Sequence, residues 1–328
     1  MENDKKLNRV IWSLVVILAI ILVLILVPQN KNKYIHVGIA AYNMEDEYLS
    51  DMIYELANQM DAYDFGSSRV VYEIFDAEGS VRRQDRQLQY MCQQDFDVLI
   101  VNLVKPSLAA NFLNMAANNE KKVILFNREV DEKDMSISDN IWYVGTDGYK
   151  AGEIQGKMIV DAIDGNIYSD SNGNGKIDYI LVEGEPTHFD SIRRTKGFLE
   201  STMNLPMNQL EDISADWSRE MACEELKKLD RETVTETEIV VCNNDDMALG
   251  VADFYSLMDM EPPIIIGINN TVETGEKIKE DIIYGTVDND IESQIERICT
   301  VVSYITAGKK TDDNHVWYSI PIEVIKNK

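Results

Sequence analysis

The chain has 328 residues, 45% of them hydrophobic, and a formal net charge of −26. That is enough apolar material for two ordinary domains, and a surface so acidic repels phosphate backbones, which argues against nucleic acid as a partner. Cys92, Cys223, Cys242 and Cys299 lie far apart with no C-x-x-C pair, giving no support to cysteine-based metal or redox chemistry; Cys242, inside an apolar run, reads as a small buried residue.

The first feature along the chain is an apolar run over 10–27, interrupted only by Ser13. Its length approaches the ~20 residues that span a hydrocarbon core. Lys5, Lys6 and Arg9 precede it, so residues 1–9 are expected in the cytoplasm and everything beyond Pro28 outside the cell. Ile25-Leu26-Val27-Pro28-Gln29 offers no small-residue cleavage site, and no cysteine precedes Cys92. An uncleaved signal anchor therefore fits better than a cleaved peptide or a lipoprotein signal. A polar linker follows over 28–33.

From residue 35 onward, apolar runs of strand length alternate with segments of helical period. Strands are predicted over 35–41, 69–75, 97–102, 122–126, 142–145, 178–183, 238–242, 264–268 and 283–287. Helices are predicted over 46–60, 82–93, 106–118, 151–163, 191–203, 218–229, 245–258 and 291–307. Continuous apolar strands separated by helices predict an α/β protein of two doubly wound parallel sheets. No G-x-G-x-x-G follows a strand, and there is no Walker A or G-x-S-x-G sequence, which removes the commonest nucleotide-binding and hydrolase readings.

Ligands of such sheets bind beyond the carboxyl ends of the strands. The polar residues found there are Asn102, His188, Asp190, Asn243, Asn244, Asp245, Asn269 and Asn270, with Tyr48 and Trp217 at loop-to-helix junctions. Planar polar side chains between aromatic rings suit a neutral, hydroxyl-rich ring such as a sugar. An Asn after a strand is also a good turn former or helix cap, and Asp216-Trp217-Ser218 a good helix start.

Several stretches carry a family resemblance: Val101-Asn102-Leu103-Val104-Lys105-Pro106, Tyr143-Val144-Gly145-Thr146-Asp147, Gly152-Glu153-Ile154-Gln155-Gly156, Glu183-Gly184-Glu185-Pro186-Thr187-His188-Phe189-Asp190, Asn243-Asn244-Asp245-Asp246-Met247-Ala248 and Gly285-Thr286-Val287-Asp288-Asn289-Asp290. In that order they resemble the bacterial galactose/glucose-binding proteins, a type I periplasmic binding protein family. The resemblance implies two hinged lobes, 34–127 with 291–318 and 128–290 with 319–328. It implies that Asp46, Asn102, His188, Asp190, Arg194, Asn244 and Asn289 bond the sugar, with Asp46 at the 4-hydroxyl and Tyr48 and Trp217 sandwiching the ring. Asn269 stands where the family has Asp, exchanging a charge-assisted bond of ~1.5–3 kcal/mol for one of ~1 kcal/mol.

Asp170-Ser171-Asn172-Gly173-Asn174-Gly175-Lys176-Ile177-Asp178 carries oxygen side chains at loop positions 1, 3, 5 and 9 and glycine at position 6, the first part of an EF-hand-like calcium loop. A polar surface turn is the alternative. The resemblance implies a structural Ca2+ held by Asp170, Asn172, Asn174, the Lys176 carbonyl and Asp178, closed by Glu238. The expected whole is a membrane-anchored, extracellular glucose- or galactose-binding protein. It would hand its sugar to an ABC transporter permease or signal to a sensor kinase or chemoreceptor. A glycosidase or other sugar-modifying enzyme is the alternative. A repressor of the lactose type would need an N-terminal helix-turn-helix where this chain has its apolar run.

Overall fold

The computed structural model describes residues 33–307 and 315–326. The predicted tail, the 10–27 anchor and the linker up to residue 32 lie outside the described residues. Among those described, no helix is long and apolar enough to cross a membrane. Lys33, assigned to the linker from sequence, opens the first strand.

Two six-stranded sheets make two lobes. The first contains β1 (Lys33–Ala41), β2 (Ser68–Asp76), β3 (Val98–Val101), β4 (Lys122–Phe126), β5 (Ile141–Thr146) and β11 (Val316–Ser319), in the order β11-β5-β4-β3-β1-β2. The second contains β6 (Ile177–Glu183), β7 (Met207–Ser214), β8 (Ile239–Cys242), β9 (Ile264–Ile266), β10 (Gly285–Asp288) and β12 (Ile322–Ile325), in the order β12-β10-β9-β8-β6-β7. The ladders are parallel, as predicted, except that β12 runs antiparallel to β10. Strand order reverses between β1 and β3 and again between β6 and β8, the switch points where open α/β sheets hold ligands.

The helices are α1 (Glu47–Ala62), α2 (Val81–Gln93), α3 (Ala109–Asn118), α4 (Glu132–Met135), α5 (Gly148–Asp164), α6 (Phe189–Ser201), α7 (Arg219–Leu226), α8 (Arg231–Glu236), α9 (Asp245–Leu257), α10 (Val272–Lys279) and α11 (Ile291–Thr306). On one face of the first sheet Leu49, Met52 and Ile53 of α1 and Ile295 and Ile298 of α11 pack over Val37 and Ile39. On the other face Leu88, Met91, Phe112 and Leu113 of α2 and α3 pack over Leu99 and Leu125. The second sheet is covered by α5 and α6 through Met158, Ile159 and Phe198, and by α7 and α9 through Leu226, Met247 and Val251. Each such side chain, fully buried, contributes about 1.5–3 kcal/mol.

Coverage of both faces explains why every residue of β3, β5 and β8 is buried and why those strands read as unbroken apolar runs. The edge strand β7, Met207-Asn208-Gln209-Leu210-Glu211-Asp212-Ile213-Ser214, shows half its residues to water and escapes that pattern. The short strands β11 and β12 and the short helices α4, α8 and α10 were likewise not predicted.

The chain crosses between lobes after Thr146, at Asn289–Asp290, and between Ser319 and Ile322. The predicted boundary at 127/128 is therefore wrong. Residues 128–140 turn back through α4 so that β5 pairs with β4, Val123 against Ile141 and Phe126 against Val144, inside the first sheet. Ser319 also belongs to that sheet, opposite Thr146. The four cysteines are unpaired and buried.

Candidate functional site

Both sheets aim their carboxyl ends at one interlobe cleft that is partly open to solvent. It is lined by Tyr42, Asp46, Tyr48, Asn127 and Arg128 from the first lobe and His188, Asp190, Arg194, Trp217, Asn244 and Asn269 from the second. Eight predicted ligand residues thus come together: Asp46, Tyr48, His188, Asp190, Arg194, Trp217, Asn244 and Asn269.

Three of them are helix caps as well as cleft walls. Asp46 Oδ1 accepts from Leu49 N at 2.9 Å at the start of α1, Asn244 Oδ1 from Met247 N at 3.0 Å at the start of α9, and His188 Nδ1 from Asp190 N at 3.1 Å at the start of α6. Beyond the caps, Asp46 Oδ2 accepts from the Tyr42 hydroxyl and Asn244 Nδ2 donates to Trp217 O at 3.2 Å, whereas His188 Nε2 is left without a partner. Helix α6 begins at Phe189, earlier than predicted, so Asp190 lies in its first turn.

His188 is buried, and burial followed by the positive charges of Arg128 and Arg194 lowers its pKa to about 2. The ring is neutral. Because Nδ1 accepts, the proton sits on Nε2, which is buried without a partner. Asp190 is pushed up to about 6 by burial, with Arg194 pulling the other way. Arg194 Nη1 donates to Asn243 O at 2.6 Å while its Nε has no partner, and its guanidinium lies 5.7 Å from the Trp217 ring.

Trp217 is placed by backbone strain and by a glycine. Asp216 and Trp217 both adopt left-handed conformations, φ 48° and 68°, each costing of order 1–3 kcal/mol for a non-glycine residue. The turn lays the indole on Gly184, where a Cβ would come within 2.3 Å of the ring. The indole also meets the His188 ring edge-on at 5.2 Å. A second close approach sets α6: a Cβ on Gly152 of α5 would lie 1.9 Å from Arg194 O. The glycines of Gly152-Glu153-Ile154-Gln155-Gly156 thus let α5 press against the helix that carries His188, Asp190 and Arg194.

Two predicted ligand residues stay out of the cleft lining. Asn102 is fully buried, its Nδ2 donating to Phe126 O at 3.1 Å. Asn289 lies beneath Asn269, donating from Nδ2 to Asn269 Oδ1 at 2.8 Å. Tyr42, Asn127 and Arg128 were not predicted, although Tyr42 follows β1 and Asn127-Arg128 follows β4, the rule that had flagged Asn102. Arg128 lies over the Tyr42 ring at 3.6 Å and donates to Val104 O at 2.9 Å, while the Tyr42 hydroxyl donates to Asp46 Oδ2. Asp46 and Asp190 against Arg128 and Arg194 leave the lining without net formal charge.

The 170–178 loop lies at the other end of β6. Asn172 and Asn174 donate from Nδ2 to Asp178 Oδ2 at 2.8 and 2.7 Å, and Asp170 accepts from the backbone of Asn174 and Gly175. Glu238 closes the loop, accepting from Ser171 N at 2.6 Å and from Tyr168 Oη at 2.7 Å. Gly175, at loop position 6, has φ 76°. Burial works against it, yet the amides of Asn208, Asn172 and Asn174 hold the Asp178 carboxyl below its ordinary range. Carboxylate, amide and carbonyl oxygens are a hard cation's ligands. Among the described residues, no three acidic, histidine or cysteine side chains converge closely enough to hold a metal by themselves. A cation here fits only with the Asn172 and Asn174 oxygens turned inward and the Lys176 carbonyl included.

Residues 37–310 match the periplasmic binding protein domain family. The chain is 27% identical over 285 residues to the D-galactose/methyl-galactoside binding periplasmic protein MglB of Haemophilus influenzae, covering 86% of this chain and 84% of that one. Among solved structures it superposes on an ABC transporter solute-binding protein of Actinobacillus succinogenes with bound D-allose (TM-score 0.76, 17% identity, 89% of this chain and 97% of the other). It also superposes on one of Bacillus halodurans with bound myo-inositol (TM-score 0.75, 22% identity, 91% and 96%). Family and architecture set aside the enzyme alternative: the chain belongs to the periplasmic binding protein domain family and is a substrate-binding protein, not an enzyme.

Proposed function

We propose that the chain binds a neutral hexose, glucose or galactose, by closing its lobes around the ring. The observation that carries this is the unpartnered, buried Nε2–H of neutral His188 in a cleft lined also by Asp190, Tyr48 and Trp217 and without net formal charge. A hydroxyl both donates and accepts, so one sugar hydroxyl can satisfy His188 and Asp190 together. The names of the Haemophilus relative and of the allose- and inositol-bound structures support a polyhydroxylated ring. Isothermal titration with glucose, galactose, xylose, ribose, arabinose and myo-inositol tests the reading. Saturable hexose binding is expected, and preference for a pentose or cyclitol would move the ligand class.

A structural Ca2+ in the 170–178 loop belongs to the same proposal, held by Asp170, Asn172, Asn174, the Lys176 carbonyl, Asp178 and Glu238. Bound there, it would add stability through linkage to folding. We further place the binding domain outside the cell, tethered by residues 10–27, with an ABC permease or a membrane sensor reading closure. The apolar run and its basic flank support the tether. Protease accessibility of the domain in intact cells tests that topology.

A further inference from the structure

All three interlobe crossings meet in one buried hydrogen-bonded ring. Thr146 ends β5 at the first crossing, Asn289 is the second, and Ser319 ends β11 at the third. The Asn289 carbonyl accepts from Ser319 Oγ at 2.7 Å and from Gln294 Nε2 at 2.7 Å. Gln294 Nε2 also donates to Thr146 Oγ1 at 2.9 Å, and Thr146 Oγ1 lies 2.9 Å from Ser319 Oγ. Thr146 Oγ1 also donates to Asn289 O at 2.9 Å, so that carbonyl takes the threonine hydroxyl, the serine hydroxyl and one amide hydrogen of Gln294, whose other amide hydrogen goes to Thr146 Oγ1.

Gln294 is the one member that is not on a crossing. It sits on α11 of the first lobe and is 1% exposed. From the same ring the Asn289 side chain reaches the cleft wall through Asn269 Oδ1, and its own Oδ1 is buried without a partner. One amide therefore touches two crossings and reaches one wall of the cleft through Asn289.

We propose that Gln294 is a positioning residue for ligand binding. By donating to the Asn289 carbonyl and the Thr146 hydroxyl at once it ties two crossings together, so that the Asn289 amide supports Asn269. It contacts no ligand; its effect passes through Asn289. The inference deepens the sugar reading and rests on it for the ligand.

The test is Gln294→Met, close in shape but without donors, in the full-length chain in detergent, titrated with D-glucose and D-galactose. The expected result is a roughly tenfold weaker Kd, and no further loss when Gln294→Met is added to Asn289→Ala, because the misplaced group is already gone. An unchanged Kd, or losses that add in the double variant, would overturn the proposal. A purely structural role would lower the unfolding temperature and leave Kd alone. Hydrogen exchange in the ligand-free chain gives a second readout: backbone amides at all three crossings are expected to exchange faster in Gln294→Met, and unchanged exchange would also sink it. If the wild-type chain binds neither sugar, the hexose reading fails, and exchange alone then decides the role of Gln294.

Discussion

Beside the crossings, Arg193 of the second lobe donates from Nη1 to both carboxylate oxygens of Glu129 in the first, at 3.0 and 2.8 Å, and from Nη2 to Asp147 at 3.1 Å. The Tyr318 hydroxyl completes Glu129 at 2.6 Å. At the outer rim, where the N-termini of α1 and α9 approach, the arrangement is reversed. Asp246 of the second lobe is half-buried and under the negative charge of Asp46 and Glu47 of the first. Burial, then Asp46, Asp245 and Glu47, push its carboxyl up to about 7 despite Arg219. The approach of the two lobes is thus favoured by complementary charge on the hinge side and opposed by like charge at the rim. A ligand in the cleft lies between the two and can tip the balance, since it need supply only the difference between open and closed states.

The largest expected effect lies in the cleft itself. Trp217→Ala removes one wall of the ring site and should weaken hexose binding about 100-fold or more, roughly 3 kcal/mol of aromatic contact and burial. Titration checks it, and undiminished affinity would place the ligand elsewhere. The calcium loop is the control that leaves both rim and hinge untouched, because it lies at the amino end of β6. Saturating calcium should stabilise the wild-type chain by about 2–3 kcal/mol at a hundredfold excess over its Kd. Asp178→Ala or Glu238→Ala should abolish that calcium-dependent rise in unfolding temperature, and equal losses with and without calcium would remove the metal from the account.

Next in size is the hinge-side ion pair. Arg193→Met should cost about 1–2 kcal/mol of closure, a partly exposed charge-assisted pair being worth less than a buried one. It should appear as affinity about tenfold weaker and a larger ligand-free radius by small-angle scattering. The smallest effect belongs to the rim. Asp246→Asn should strengthen binding about threefold at pH 8, where the wild-type carboxylate is ionised, with little change at pH 6. The sign follows from the raised pKa: the folded chain holds the Asp246 proton more tightly than the unfolded one, so its contribution to stability is full below about 4 and lost as pH rises through about 7. Asp190, raised to about 6, loses its contribution in a lower window, yet it is the acceptor proposed for the ligand, so on that reading affinity should fall as pH drops below about 6.

The fold was legible because its physics is local. Strands covered on both faces must be apolar throughout, and the helices that follow them announce themselves by caps: Asp46, Asp147, His188 and Asn244 all sit where a strand end meets a helix start. The edge strand β7 and the paired ends β11 and β12 were not legible, since one solvated face or four residues leave too little pattern.

The rule of polar residues after strands named His188, Asp190, Asn244 and Asn269 of the cleft lining, Tyr48 and Trp217 were read as aromatics at loop-to-helix junctions, and Asp46 and Arg194 came only with the family resemblance. The sequence by itself determined the two parallel sheets and the oxygen-rich 170–178 loop and, with the family resemblance, named eight of the eleven residues that line the cleft. Only the tertiary structure decided which strand-end residues reach the cleft. Asn102 and Asn289 are drawn below the surface by neighbouring backbone and the hinge ring, whereas Arg128 is lifted into the cleft by its stack on Tyr42. It also decided where the lobes divide, because the partner of β5 is chosen by a ladder to β4 and not by any residue within the segment that joins them. Spacing along a chain fixes which way a side chain leaves its own element; what stands opposite depends on contacts between residues far apart in sequence.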